Sequence, residues 1–410
     1  MCFAVCPTGA IEIEAYRNGG EPIVEENDCT GCNQCMRCCP GLDDFWSTSI
    51  PSKGNDFYVR DDCFCIGPAI NTYLTHSHDH QERISASSGG TVSAICRYLL
   101  DYNIVDAVVG VGFANRIQPI PQIVCDSKDL FRLRQSKYAR VPNCKIMRPD
   151  LPYDSVCFIG LPCHLKAIKK TLHAFPAIYN KVKLLLGLYC GNGLYYEATL
   201  DLIKRLGCPD PDNVESIGYR EGQWPGKFSV KMKNSNTESI DKIIFNYLSF
   251  FYTPKRCYLC NELPSFDADI SFSDGWAMEN LDSDGWNNTV ARTKLGDQTL
   301  NHALKAGYLI ATPIPTDHSL NMHRHGMFNK HYIANLRCGV IDRFKGKTPN
   351  YSTFKTNLID YLIAVLTLIC FYLGNKKGSR LLASWIPFSV YEKLMSFSRK
   401  KWIHLAGKRA

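Results

Sequence analysis

Cys29, Cys32, Cys35 and Cys39, with Pro40 directly after, form a C-x2-C-x2-C-x3-C-P run, and no other feature of the 410-residue sequence limits the outcome as strongly. Three thiolates at i, i+3 and i+6 can wrap one 4Fe-4S cubane on a tight loop, while the fourth leads away toward a second cluster. A structural zinc site more often shows two C-x2-C pairs far apart. Twenty cysteines then read as metal or redox ligands rather than a disulfide frame, provided the compartment is reducing. The start of the sequence carries no signal-peptide pattern, so a cytoplasmic setting is expected.

An internal repeat extends the run. Cys6-Pro7 matches Cys39-Pro40 at an offset of 33 residues, which places Cys2 on Cys35. Two-cluster modules of this kind exchange their fourth ligands, so one cluster would use Cys6, Cys29, Cys32 and Cys35. The other would need Cys2, Cys39 and two ligands that the sequence does not supply, as though a natural start lay upstream. One N-terminal cluster rather than two is expected, with Cys38 a spare thiol.

A chain this long has room for two or three domains, which excludes a lone ferredoxin. Charged residues are 21% and apolar residues 45%, a balance that excludes wholesale disorder. The net charge of +8 lies wholly in residues 374–410, where nine Lys or Arg face Glu392 alone. The folded part thus has no basic stripe to offer, and no nucleic-acid partner is expected. Just before that basic segment, Tyr361 to Leu373 is apolar but short of the ~20 residues that span a bilayer. Residues 357–410 read either as an interfacial anchor with peripheral membrane contact or as a helix packed on the domain.

Between these ends the pattern alternates strand and helix. Residues 43 to 90 look irregular. Thr91 to Tyr102 is helical in period, and Ser87-Ser88-Gly89-Gly90 before it can present N–H groups at a helix start. Ile104 to Gly112 reads as a strand. Val156 to Gly160 feeds a helix over Leu165 to Leu172, and Leu184 to Tyr189 feeds another over Leu194 to Leu206. Repeated βα units imply an α/β fold with a largely parallel sheet. Cys163 and Cys190 follow two of its strands, where ligands bind in open α/β sheets, and Cys257 and Cys260 add a C-x2-C pair. The expectation is that Cys163, Cys190, Cys257 and Cys260 converge on another 4Fe-4S cluster. A zinc site, a Cys257/Cys260 dithiol, or a Cys163 nucleophile served by His164 are the alternatives. Thr75-His76-Ser77-His78-Asp79-His80 resembles the H-x-H-x-D-H of metallo-β-lactamase-like hydrolases but lacks the spacer before the aspartate, so solvated loop residues are expected there.

The ferredoxin run, Ser88-Gly89-Gly90-Thr91, Gly160-Leu161-Pro162-Cys163, Gly187-Leu188-Tyr189-Cys190, Tyr219-Arg220, Arg256-Cys257 to Cys260, Ala268-Asp269-Ile270-Ser271, Asp274-Gly275-Trp276 and Val290-Ala291-Arg292-Thr293 together resemble the coenzyme F-420 hydrogenase/dehydrogenase beta-subunit family. The resemblance runs from residue 1 to about Ile310. It implies an iron-sulfur flavoprotein in which FAD exchanges electron pairs while 4Fe-4S clusters relay single electrons. The substrate does not carry over with the fold.

A flavin needs a pyrophosphate cradle, for which Ser88, Gly89, Gly90 and Thr91 are the candidates, and cations near its ring, for which Lys137, Arg220 and Arg292 are. The expected organisation is a ferredoxin-type module over 1–45, a linker over 46–90, an α/β flavin and iron-sulfur domain over 91–315, a connector over 316–356 and a helical tail over 357–410. The expected function is oxidoreduction with a small-molecule or coenzyme substrate and a redox partner protein or ferredoxin. A non-catalytic electron relay and a membrane-tethering scaffold are the alternatives.

Overall fold

The computed structural model describes residues 1–13, 20–41, 57–61, 64–276, 282–344 and 358–391, with scattered positions from there to 404. Parts of the expected linker, connector and tail therefore lie outside the described residues. At the N-terminus two single-turn helices, Cys2–Val5 and Gln34–Arg37, accompany the short antiparallel pair β1 (Ile11–Glu12) and β2 (Ile23–Val24). A second small pair follows, β3 (Phe57–Asp61) and β4 (Phe64–Pro68).

The body is an eight-stranded sheet built from β5 (Asn71–Ser77), β6 (Ala107–Ala114), β7 (Gln118–Val124), β8 (Val156–Gly160), β9 (Val182–Leu188), β13 (Ile270–Asp274), β14 (Asn287–Ala291) and β15 (Leu309–Pro313). Its order is β15-β5-β14-β13-β9-β8-β6-β7. Only the inner four strands, β13, β9, β8 and β6, run parallel; the remaining pairings are antiparallel. The sheet is thus mixed, not largely parallel as the βα pattern suggested. The reason is local: β6 and β7 are joined by a hairpin, and β14, β5 and β15 close the other side without parallel crossovers.

The inner strands are largely buried on both faces, as the apolar runs of β6, β8 and β9 suit, while β13 alternates apolar residues with Ser271 and Ser273. Leu184, Leu186, Ile270 and Phe272 pack against Ile95 and Leu99 of the helix Thr91–Asp101 and Leu300 of the helix Lys294–Lys305. Leu185, Val109 and Phe158 face the other way, onto Leu165 and Ile168 of the helix Pro162–Lys169 and onto Met1 and Val5. A separate antiparallel sheet, β10 (Val214–Glu221), β11 (Lys227–Met232) and β12 (Thr237–Asp241), shares a core with the helices Glu197–Arg205 and Ile244–Tyr252.

Two expectations change here. Asn71–Ser77, placed in a linker, is a sheet strand paired on both sides. Its Thr75 is fully buried because its hydroxyl bonds those of Thr91 and Thr289, at 2.8 and 2.7 Å. The histidines of this segment also separate: His76 is buried edge-on to Trp286, whereas His78 and His80 are exposed and His80 pairs with Asp284.

The tail forms the helices Leu358–Gly374 and Lys377–Ser384, bent by 87° at their junction. Phe371 stacks on Tyr258, Tyr332 donates to Asp360 at 2.6 Å, and Arg380 donates to the Phe251 carbonyl at 2.8 Å. One face of the tail therefore packs on the domain. No single helix among the described residues is long and apolar enough to cross a membrane.

Candidate redox site

Left-handed backbone at Gly31 and Asn33 curls the cysteine loop around a pocket lined by Cys6, Cys29, Cys32 and Cys35 together with Pro7, Ile11 and Val24, about 400 Å³ of space that opens to solvent. These are the four thiols that the repeat assigned to one cluster. Slight burial raises Cys6, but the Thr8 side chain and the backbone N–H groups of Thr8, Ala10 and Gly9 outweigh it and hold the thiol below its ordinary value, which favours a thiolate ligand. Cys38, by contrast, is buried and pushed up to about 12 by desolvation. The charges of Cys2, Cys39 and Cys35 push the same way.

The second thiol set gathers at the carboxyl ends of the parallel strands. Cys163 opens the helix after β8, Cys190 lies just past β9, and Cys257 and Cys260 belong to the turn of helix Lys255–Tyr258 and its end. Burial first, then Cys190, Cys257 and Cys260 in turn, push the Cys163 thiol well above its usual value. Cys190 is raised to about 12 by burial, against a downward pull from Lys330 and with Cys257 and Cys260 adding to the rise. Thus the structure brings the four residues into one electrostatic neighbourhood. They are not drawn into a ligating arrangement: among the described residues no group of three or more His, Cys, Asp or Glu is set to hold a metal ion.

Lys330 is a member of this site that the sequence did not disclose. Its ammonium is buried, donates to the Cys257 carbonyl at 3.0 Å, and lowers both Cys190 and Cys260. It is delivered by a π-helical stretch, Phe328–Ile333, far along the chain, and no local spacing signals it. His164 is not a base for Cys163. Desolvation pulls its imidazole down to about 3, and its Nδ1 accepts from the Leu161 N–H at 3.4 Å, which makes it a cap of its own helix.

Beside the thiols, set back from the surface, lies a cluster of buried and half-buried cationic and aromatic side chains. Arg220, at the end of β10, donates to both oxygens of Asp274 at 2.8 and 3.1 Å, and Lys242 approaches the same carboxylate at 3.4 Å. Burial alone would raise Asp274, yet Arg220 and then Lys242 prevail and hold it at about 2. Lys242 lies 4.5 Å from the centre of the Trp276 ring, which stacks obliquely on Trp224. The Trp224 Nε1 donor and Arg220 Nη2 are buried without a hydrogen-bond partner among the described residues, donors that an added acceptor would satisfy. His323 contacts the Asp274 carbonyl at 2.9 Å and meets Tyr189, the neighbour of Cys190, edge-on. Recess and thiols therefore adjoin.

The proposed flavin residues divide. A Cβ on Gly285, itself at φ +88°, would meet Trp224 at 3.0 Å and the Gly89 nitrogen at 3.1 Å, so the loop Ser88-Gly89-Gly90 borders the recess. The helix start is nonetheless packed from within, because Thr91 N–H donates to Asn287 and Ser88 to the Trp286 carbonyl. Lys137 donates to the carbonyls of Leu133 and Arg134, and burial brings it down to about 7. Arg220 is held in the recess by Asp274. Arg292 does not: its Nε bonds Ser271, Nη1 the carbonyls of Ile66 and Pro68, and Nη2 that of Pro264. A guanidinium committed to backbone carbonyls fastens loops together and leaves little for a cofactor.

Comparison with known proteins supplies the class. Residues 72–148 match the family model for the N-terminal part of the coenzyme F420 hydrogenase/dehydrogenase beta subunit, and residues 153–317 match the model for its C-terminal part. One subunit of the F(420)H(2) dehydrogenase of Methanosarcina mazei is 25% identical over 72% of this chain and 79% of its own length. The beta subunit of the coenzyme F420 hydrogenase of Methanothermobacter thermautotrophicus is 24% identical over 61% of this chain and 86% of its own length. A chain of the F420-reducing [NiFe] hydrogenase complex of Methanosarcina barkeri shares the fold, with a TM-score of 0.57 and 20% identity over 72% of this chain and 99% of that one. Such homologues are oxidoreductase subunits, which supports an electron-transfer role and a redox partner protein. The chain belongs to the coenzyme F420 hydrogenase/dehydrogenase beta-subunit family.

Proposed function

We propose that this protein is an iron-sulfur flavoprotein that moves electrons between 4Fe-4S clusters and FAD, and on to a small or coenzyme-like substrate, with electrons exchanged through a redox partner protein or ferredoxin. The observation that carries the reading is the adjacency of the four-thiol neighbourhood and the Arg220–Lys242–Trp recess at the strand ends, joined through Tyr189 and His323. The residue types of both suit the groups proposed for them. Soft thiolates suit iron-sulfur clusters, and a recess with an unmatched indole N–H, two cations and a bordering glycine loop suits an anionic, aromatic cofactor. Cys6, Cys29, Cys32 and Cys35 would hold one cluster in a ferredoxin-type module, and Cys163, Cys190, Cys257 and Cys260 another.

When bound, these groups supply conversion between two-electron and one-electron transfer. The chain's own residues do the rest. Asp274 fixes the Arg220 guanidinium, Lys242 and Arg220 give the recess a positive field, and Lys330 offsets the cost of thiolate charge in a buried site. Anaerobic reconstitution should give flavin together with about eight iron atoms per chain, four per cubane. Cys190→Ala should keep the flavin and lose electron transfer to an external acceptor. Iron and sulfide without flavin would leave a relay protein in place of the enzyme.

A further inference from the structure

The tail helix Leu358–Gly374 is two-faced. Asp360, Ala364, Phe371 and Gly374 are buried against the domain, while Leu358, Leu362, Leu366, Ile369 and Leu373 stand exposed along the opposite side. Their spacing of three to four residues makes one continuous stripe. The second helix continues it around the 87° bend with Leu381, Leu382 and Trp385, the last 77% exposed. Scattered apolar residues on a surface need no explanation, but a stripe of eight does. The domain-facing contacts hold this stripe outward. Gly374 in particular approaches the Phe250 carbonyl so closely that no side chain fits there.

The charge says what covers it. Lys376 and Lys377 lie at the bend, Lys393, Lys400 and Lys401 are exposed beyond it, and the segment 374–410 carries the whole net charge of the protein. A protein partner covering this stripe would need a matching acidic, apolar groove. A bilayer surface supplies both properties at once, since acyl chains take the apolar side chains and anionic headgroups take the ammonium groups. A helix of 17 residues is about 25 Å long, shorter than the ~30 Å hydrocarbon core, and its buried Asp360 contact with Tyr332 would break if it inserted across. It is suited to lie in the plane.

We infer that residues 358–391 form a peripheral docking surface for anionic membrane, with the apolar stripe at the level of the acyl boundary and the lysines among the headgroups. The redox domain would then work beside the bilayer. The inference does not depend on the proposed cofactors.

Flotation of the full chain with phosphatidylcholine vesicles, alone and with one quarter phosphatidylglycerol, tests it, with the mass in solution measured by light scattering. Binding should be at least tenfold stronger to the anionic vesicles, and Leu362→Glu with Leu366→Glu should reduce it at least tenfold while leaving the thermal midpoint unchanged. Lys376→Glu with Lys377→Glu should weaken binding and reduce its salt dependence. Equal binding to both vesicle types, binding that survives Leu362→Glu with Leu366→Glu, or a dimer that this pair of substitutions dissociates would overturn the inference, the last by showing that a second copy covers the stripe.

Discussion

Replacing Asp274 by Asn removes the carboxylate that both Arg220 and Lys242 face. Asp274 is held at about 2, against 3.8 for an ordinary aspartate. That depression corresponds to about 2 kcal/mol of stability at pH 7. Because the folded value is the lower one, the stabilisation is complete above the unfolded value, near pH 4, and is lost as pH falls toward 2. Asn also leaves two buried cations without their counter-charge, a change that costs about 3–5 kcal/mol when a buried pair is broken from one side. The variant should therefore be less stable than the parent by about 2–5 kcal/mol at pH 7, and the gap should narrow by about 1 kcal/mol at pH 3. Urea unfolding at both pH values measures it, with Trp224 and Trp276 as fluorescent reporters inside the recess. An equal or wider gap at pH 3, or a variant as stable as the parent at pH 7, would refute the assignment of Asp274 as the anchor of the recess.

Lys330→Met should lower the iron retained after anaerobic reconstitution toward one cubane per chain, about four iron atoms, because Cys190 and Cys260 lose the cation that favours their thiolates; iron unchanged from the parent speaks against that role. Arg292→Lys should cost about 3 kcal/mol in chemical denaturation, since several carbonyl contacts go at once, while the folded fraction binds flavin as the parent does; a selective loss of flavin would restore Arg292 to the cofactor site. Gly89→Ala should destabilise by at least about 2 kcal/mol, because φ is +53° and the new Cβ would lie within 2.9 Å of Asn287 and Thr75; a neutral effect on the unfolding midpoint contradicts this close packing.

The thiols are legible because their chemistry needs fixed spacing. The C-x2-C-x2-C run and the cysteines after β8 and β9 can be read directly, and the structure lines one pocket with Cys6, Cys29, Cys32 and Cys35 and brings the other four into one electrostatic neighbourhood without a ligating arrangement. Arg220 can be read from the sequence as a candidate, but its partners Asp274 and Lys242 cannot be paired there, being joined only across two sheets. Arg292 misleads because an arginine after a strand looks the same whether it serves a ligand or backbone carbonyls. Asn71–Ser77 reads as irregular since its buried residues include Thr72, Thr75 and Ser77, polar side chains that hydrogen bonds alone make tolerable inside. The two-sided character of the tail is also hidden, because an apolar run does not say which of its faces finds the domain.

Arg256 precedes Cys257 and donates to the Pro40 carbonyl at 3.2 Å, while Lys170 donates to the Cys39 carbonyl at 2.8 Å. Two side chains of the domain thus clasp the end of the N-terminal cysteine run. An electron carrier on a loose tether delivers by collision, and its rate follows viscosity and linker length. Under the proposed function, the two clasping hydrogen bonds would hold the N-terminal thiols at a built-in separation from the second set, as in a soldered joint rather than a swinging contact. Solvent viscosity should then leave electron passage between them untouched.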